Sequence, residues 1–260
     1  MIDSRSGDLS GKVAIVTGAG SGIGHAIARL FAQHGASVAI NFFGHESGAR
    51  ELAQQIEARG GSAVALEADV SDANAVESLV AATVEMFGGL DVLVNNAGIV
   101  EPQKLLEIDE ATWERTLSVD LKGSLLCLQA SALRMKETGG GSIVNISSVH
   151  EDLPFPGHSS YVTAKGGLRM LMRNAALELG PFGIRVNNVA PGAIATPINA
   201  DTLAQPAKVK LLQKLVPLQR VGRPEEVAEV ALFLASDRSS YVTGSTYFVD
   251  GGLVQHAEPL

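Results

Sequence analysis

The chain has one cysteine, Cys127, in 260 residues. No internal disulfide can form, and a reducing compartment is implied. Cys127 stands among Leu125, Leu126 and Leu128, the setting of a small core residue. No apolar run reaches the length of a membrane span. Residues 1–10 lack the apolar stretch of a signal peptide. Positive charge is also short: 20 Lys and Arg face 28 Asp and Glu, a formal charge of −8. That argues against nucleic acid or an anionic membrane as partner. Repeats, low-complexity tracts and long linkers are missing too. One soluble, cytoplasmic domain over 1–260 is expected, with no metal site. The apolar fraction of 46% is ample for a large core.

What is present is alternation. Short apolar or β-branched runs at 12–17, 36–41, 63–66, 90–94, 142–146, 184–190 and 244–249 read as strands. Amphipathic stretches at 47–59, 72–87, 110–136, 159–179 and 224–235 read as helices. The stretch at 110–136 reads as one long helix, with Trp113, Leu117, Leu121, Leu125 and Leu128 on one side. Strand and helix taking turns about seven times requires a parallel sheet covered on both faces, a doubly wound α/β fold of Rossmann type. Ligands of such a sheet bind at strand carboxyl ends.

The motifs fall at those ends. Gly18-Ala-Gly-Ser-Gly-Ile-Gly24 runs from the first strand into a helix. Glycines let the backbone approach a phosphate, and the helix N-terminus faces the anion. The spacing is not GxGxxG, and a tight βα turn alone would look similar. An acid at the end of the second strand would select NAD, and a base would select NADP. Asn41, Phe42, Phe43, Gly44 and His45 supply neither, and Ser21 in the turn is neutral, so both cofactors stay open. Asp69, beside Val70, is placed to accept the amino group of adenine, or to cap the next helix with Ser71. Asn95-Asn96-Ala97-Gly98 suits a cofactor lying against the backbone; the asparagines could equally pin the strand to its neighbour.

Tyr161 and Lys165 stand four apart on one helix face. A cation beside a phenol stabilises phenolate, which makes a proton-transfer pair. Ser148 follows the strand at 142–146, where its hydroxyl can bond a substrate oxygen. Such a set moves a proton to or from an alcohol or carbonyl. A lone Tyr and Lys at this spacing are common on solvated faces; the convergence of motifs at strand ends gives the pair its weight. Asp120 lies on the Leu117/Leu121 side of the long helix, which implies a buried polar residue. Residues 192–216, apolar and punctuated by Pro197 and Pro206, read as a substrate loop or an oligomer arm.

Along nearly its whole length this pattern resembles the short-chain dehydrogenase/reductase family. Thr17 to Gly24 matches the cofactor turn, Asn95 to Gly98 the strand-end motif, and Ser148 with Tyr161 and Lys165 the catalytic set. Pro191-Gly192 with Ile194 and Thr196 matches the nicotinamide-side loop. The resemblance implies that Tyr161 is general acid/base, that Lys165 supports it and holds the nicotinamide ribose, and that Ser148 orients the substrate oxygen. It further implies a cofactor lined by Thr17, Gly18, Ser21, Gly22, Ile23, Gly24, Asn41, Phe42, Asp69, Val70, Asn96, Ala97 and Gly98. A homotetramer built on the two long helices and the last strand is implied as well.

One residue departs from the pattern. Where the family carries asparagine in the long helix, Val119-Asp120-Leu121-Lys122-Gly123 has Asp120, a negative charge near Lys165. Activity with a changed pH profile is expected. Within the family, Ser147-Ser-Val-His-Glu151, the run from Pro191 to Ala200, and Ser240-Tyr-Val-Thr-Gly244 resemble the bacterial glucose 1-dehydrogenase branch. That implies a sugar substrate, with His150, Glu151 and Asn199 as polar contacts, although a polar loop would look the same. Asn41-Phe42-Phe43 replaces that branch's Asn-Tyr-Arg, so the NADP capacity stays open. The alternatives are a 3-oxoacyl-carrier-protein or other ketone reductase, and a cofactor-binding regulator without catalysis. Glu178-Leu-Gly-Pro-Phe182 offers an acidic carrier no basic landing site, and the intact catalytic set disfavours the regulator.

Overall fold

The computed structural model describes residues 8–44 and 46–255; His45 and residues 1–7 and 256–260 fall outside them. Seven strands form one sheet: β1 Val13–Val16, β2 Ser37–Phe42, β3 Ser62–Glu67, β4 Val92–Asn95, β5 Gly141–Ile146, β6 Ile184–Pro191 and β7 Thr246–Val249. Their order is β3-β2-β1-β4-β5-β6-β7, and every pairing is parallel. The chain builds outward from β1 to β3, then returns to the far side of β1 with β4. A crevice opens where that order reverses, at the carboxyl ends of β1 and β4.

The helices are α1 Gly22–Gln33, α2 Glu46–Glu57, α3 Ala73–Phe87, α4 Glu110–Leu117, α5 Ser124–Thr138, α6 Ser159–Leu179, α7 Ala200–Leu203, α8 Pro206–Leu215 and α9 Pro224–Ala235. Strand residues alternate between two cores. Ala14, Val16, Val94 and Val144 pack towards α1 and α9. Ile15, Leu93 and Ile143 pack towards α3, α5 and α6. Both faces are therefore covered, which is why the strands read as continuous apolar runs. Cys127 is a buried free thiol in the second core.

Two local expectations change. The helix expected at 110–136 is interrupted by a π-helical turn over Ser118–Gly123, so α4 and α5 are two helices on one rod. The residue capping α3 is Asp72, which accepts the Asn74 and Ala75 amides at 2.8 and 3.1 Å; neither Asp69 nor Ser71 takes that place. Phe42 is buried in the first core while Phe43 is 64% exposed, so the two phenylalanines do different work.

A row of polar side chains crosses the sheet beneath the strand ends. Asn95, Asn145, Asn188 and Thr246 are successive register partners on β4, β5, β6 and β7. Asn95 Nδ2 donates to Asn145 Oδ1, and Asn145 Nδ2 donates to Asn188 Oδ1, each at 3.0 Å. Asn95 also donates to the Ser124 carbonyl at 3.1 Å, fastening α5 to β4. Pairing among the amides meets most of the cost of their burial, with Asn95 Oδ1 alone in the row left without a partner. Asn145→Ala removes the middle of this row. It is expected to cost about 2 kcal/mol or more, because two neighbours lose buried partners. An unchanged urea midpoint would contradict the role given to the row.

Candidate active site

The crevice between β1 and β4 is stitched by side chains. Thr17 Oγ1 donates to the Val94 carbonyl at 3.3 Å and accepts from the Asn96 and Ala97 amides at 2.9 and 3.0 Å. Asn96 Nδ2 returns bonds to the Thr17 and Gly18 carbonyls at 2.8 and 3.1 Å. The two strand ends come so close that a Cβ on Gly18 would lie 2.8 Å from Ala97 Cα, and Gly18 has φ +60° besides. Glycine is required there for both reasons. Gly22, with φ +59°, faces Thr196 across the crevice.

The α1 N-terminus opens on this crevice. Ser21 makes no capping bond through its side chain, and no acidic residue stands in the first turn. Free amides and a positive helix end with nothing negative beside them suit a pyrophosphate. Asp69 lies at the end of β3, one carboxylate oxygen bonded by the Ser71 amide and hydroxyl at 2.9 and 2.8 Å. These residues fit a dinucleotide.

Some residues expected to line the cofactor stand behind it instead. Asn41 is 1% exposed; its Oδ1 accepts the Gly18 amide at 3.3 Å, and its Nδ2 donates to the Leu66 and Ala68 carbonyls at 3.3 and 3.0 Å. It braces the glycine turn against β3. The side chains of Phe42 and Val70 are packed into the two cores. Sequence pattern gives proximity to the crevice but not the direction of a side chain.

On the other side of the crevice, Ser148 follows β5, 6% exposed, and its Oγ accepts the His150 amide at 3.2 Å. Tyr161, Lys165 and Arg169 share one face of α6. Lys165 is 4% exposed, with Nζ 5.4 Å from the Tyr161 ring centre. It donates to the Ile146 carbonyl at 3.3 Å and lies 3.2 Å from Asp120 Oδ2. Asp120 is fully buried within the π turn, and its Oδ1 accepts the Ile99 amide at 2.8 Å. Gly98 lies against it, where a Cβ would fall 2.9 Å from Asp120 Oδ2.

Burial alone would push the Lys165 ammonium down. Asp120 first, then Tyr161 and Glu151, outweigh it and hold Lys165 above its usual value. Burial likewise pushes Asp120 up, opposed by Lys165 and the Ile99 amide. The Asp120 carboxyl expected close to Lys165 lies 3.2 Å from its Nζ.

His150 forms the wall beside Tyr161. Its ring stacks on Phe155 at 4.4 Å and meets Tyr161 edge-on at 6.4 Å, while Phe155 stacks on His158 at 3.7 Å. Burial lowers the His150 imidazole, which favours its neutral form. Nδ1 lies 3.1 Å from the Leu153 carbonyl, which can only accept. The proton therefore belongs on Nδ1, and Nε2 is left as an acceptor. The Gln103 amide donates to the Gly157 carbonyl at 2.8 Å, tying the loop after β4 to the turn before α6; Leu105 and Leu106, just beyond Gln103 in sequence, are 71% and 98% exposed.

The other two residues expected at a substrate are otherwise engaged. Glu151 is turned into the protein, bonded by Asn188 and Thr246 at 3.0 and 2.7 Å. A carboxylate so enclosed has no face for a substrate, and the expectation is corrected. Asn199 Nδ2 donates to the Ile194 carbonyl at 2.8 Å and so holds the 194–199 turn. Ile194 is 2% exposed and bridges Gly222, while the Gly192 amide donates to Val249 at 3.0 Å. Thr196 and Pro197 of this loop face the glycine turn, at Gly22.

Known proteins share this plan. A family model described as Enoyl-(Acyl carrier protein) reductase matches residues 18–254. The 3beta-hydroxysteroid dehydrogenase 1 of Eggerthella lenta is 45% identical over 249 residues, 95% of each chain. Glucose 1-dehydrogenase 2 of Bacillus subtilis is 42% identical over 255 residues, 97% of this chain and 98% of its own. The crystal structure of a gluconate 5-dehydrogenase from Burkholderia cenocepacia, in complex with NADP and tartrate, superposes with a TM-score of 0.92 at 35% identity. That match covers 96% of this chain and 97% of the other. With sequence and fold both matched over nearly all its length, the chain belongs to the short-chain dehydrogenase/reductase family.

Proposed function

We propose that this NAD(P)-dependent oxidoreductase oxidises a ring hydroxyl of a sugar, the anomeric one first among them, with Tyr161 as its general base. The observation that carries the reading is the buried Lys165, held by Asp120 and the Ile146 carbonyl on the same helix face as Tyr161. The nicotinamide, when bound, supplies the hydride acceptor. Ser148 Oγ bonds the substrate oxygen. The Tyr161 phenolate takes the hydroxyl proton, and in the reverse direction its phenol returns it. Lys165 stabilises the phenolate by its charge. Gly18, Ser21, Gly22, Ile23 and Gly24 would hold the pyrophosphate, Asp69 the adenine, and Ala97, Gly98 and residues 191–196 the nicotinamide half. His150 Nε2 offers a polar contact for a further hydroxyl.

The glucose 1-dehydrogenase relative supports the sugar reading. The hydroxysteroid dehydrogenase relative, together with the exposed Leu105 and Leu106 in the loop after β4, supports a second reading, a bulky alicyclic alcohol. Initial rates on D-glucose and other sugars, beside a hydroxysteroid, separate the two. Preference for the steroid would overturn the sugar reading. In either case Tyr161→Phe is expected to lower kcat on the order of a hundredfold or more while cofactor affinity persists. Retained turnover would remove Tyr161 from its role.

Asp120 gives the site a pH signature. It helps hold Lys165 above its usual value, so Asp120→Asn lets the ammonium deprotonate at lower pH. The alkaline limb of the pH–rate curve is expected to move towards acid. A curve that stays in place contradicts the coupling.

The whole of 1–260 acts as one domain in this reading, with 192–216 over the substrate, in a cytoplasmic setting supported by the lone buried thiol. A homotetramer belongs to the same proposal. Leu117, Leu121 and Leu125 on the α4–α5 rod form an apolar groove with Leu171 of α6, and all four residues of β7 are only half-buried. Light scattering should give four times the 27.0 kDa protomer mass. A monomer mass would refute it.

A further inference from the structure

The face of α6 that carries Tyr161 and Lys165 continues to Arg169 one turn further on. The mechanism above uses the first two and leaves Arg169 without a task. Arg169 reaches across to the turn that follows β5. Its Nε lies 3.4 Å from Glu151 Oε1, and its guanidinium also pairs with Asp152.

Glu151 has no exposed side-chain surface. Removing a carboxylate from water is costly unless partners take up its lone pairs. They do. Asn188 Nδ2 donates to Oε2 at 3.0 Å, and Thr246 Oγ1 donates to Oε1 at 2.7 Å. Those donors are the β6 and β7 members of the polar row that crosses the sheet. The carboxylate is thus fixed at once to β6, β7 and α6.

Glu151 is also three residues from Ser148. Their turn closes tightly: the Glu151 amide donates to the Ser148 carbonyl at 3.0 Å, and the His150 amide donates to Ser148 Oγ. Fixing Glu151 therefore fixes Ser148 and His150. Fixing Arg169 fixes the helix that carries Tyr161. Lys165 already fastens α6 to the end of β5 at Ile146. The Glu151–Arg169 contact adds a second fastening, to the turn beyond. Buried ion pairs are weak stabilisers, and their best-attested use is to impose one arrangement among several.

We propose that Glu151 and Arg169 form a positioning clamp that sets the separation between Ser148 on the turn and Tyr161 on α6. The proposal rests on the assignment of those two hydroxyls as the pair that grips the substrate oxygen. The clamp touches neither substrate nor cofactor. It acts by holding two groups from different elements at a working distance, and a displacement near an ångström is enough to cost on the order of a hundredfold in rate.

The test compares Glu151→Gln, Arg169→Met, the double variant and Arg169→Lys. It measures kcat, KM, cofactor affinity and melting temperature on the tetramer or whichever species the wild type forms. Glu151→Gln should lower kcat on the order of ten- to a hundredfold, with cofactor affinity within about twofold of wild type. The double variant should be no slower than the slower single, because the pair works as a unit. Arg169→Lys should recover part of what Arg169→Met loses.

A kcat for folded Glu151→Gln within about twofold of wild type, with only the melting temperature lowered, overturns the clamp. So do losses that multiply in the double variant. If Glu151→Gln does not fold, the Arg169→Met and Arg169→Lys pair decides by the same rates, since Arg169 is partly exposed. Tyr161→Phe runs alongside. If it keeps wild-type turnover, the site assignment fails and the clamp with it; if it is dead while Glu151→Gln is unimpaired, the clamp alone fails.

Discussion

A buried ammonium needs a counter-charge, and here that need draws the site together. Lys165 lies 4% exposed, and Asp120 and the Ile146 carbonyl meet its charge. Asp120 is held in turn by the Ile99 amide. This short chain of contacts joins α6, the end of β5, the π turn and the loop after β4. A π turn carries one residue more than an α turn, and one residue rotates a helix face by about 100°. The distortion at Ser118–Gly123 therefore decides which side chain of the rod meets Lys165. A cation held this way is available to a phenolate beside it but not to solvent.

The sheet explains why these contacts can be so close. Parallel strands place all their carboxyl ends on one edge, and the reversal between β1 and β4 opens the only kind of gap such a sheet affords. Thr17 and Asn96 close the floor of that gap with four bonds, and Asn41 braces the glycine turn from behind. Beneath it the Asn95–Asn145–Asn188 row ties three strands together through paired amides. The polar core is a rigid base for a site whose outer wall is softer, made of stacked His150, Phe155 and His158.

Much of this was legible in the sequence, and the boundary between legible and hidden is physical. Periodicity within a segment is a local property, so α6 at 159–179 and α9 at 224–235 were read to their ends. The glycine turn and the Tyr161/Lys165 spacing are local as well. The burial of Asp120 followed from its place beside Leu117 and Leu121. The π turn did not, because its apolar residues keep the same i, i+4 spacing as an α-helix. Glu151 read as a rim residue because a lone acid in a polar loop carries no mark of direction. Its true setting depends on Asn188 and Thr246, distant in sequence and brought together by strand register. The one available signal was the asparagine at the same level of three adjacent strands, and it requires the strand order before it can be seen.

The central claim is that a single substrate oxygen is gripped by Tyr161 and Ser148 beside a charge-compensated Lys165. The most direct measurement is a crystal structure of the protein with oxidised cofactor and a non-reactive substrate analogue. The account predicts the analogue's oxygen within about 3 Å of both the Tyr161 and the Ser148 hydroxyls, with Asp120 still within ion-pair distance of Lys165. An oxygen seated away from both hydroxyls, over a correctly bound cofactor, would contradict it.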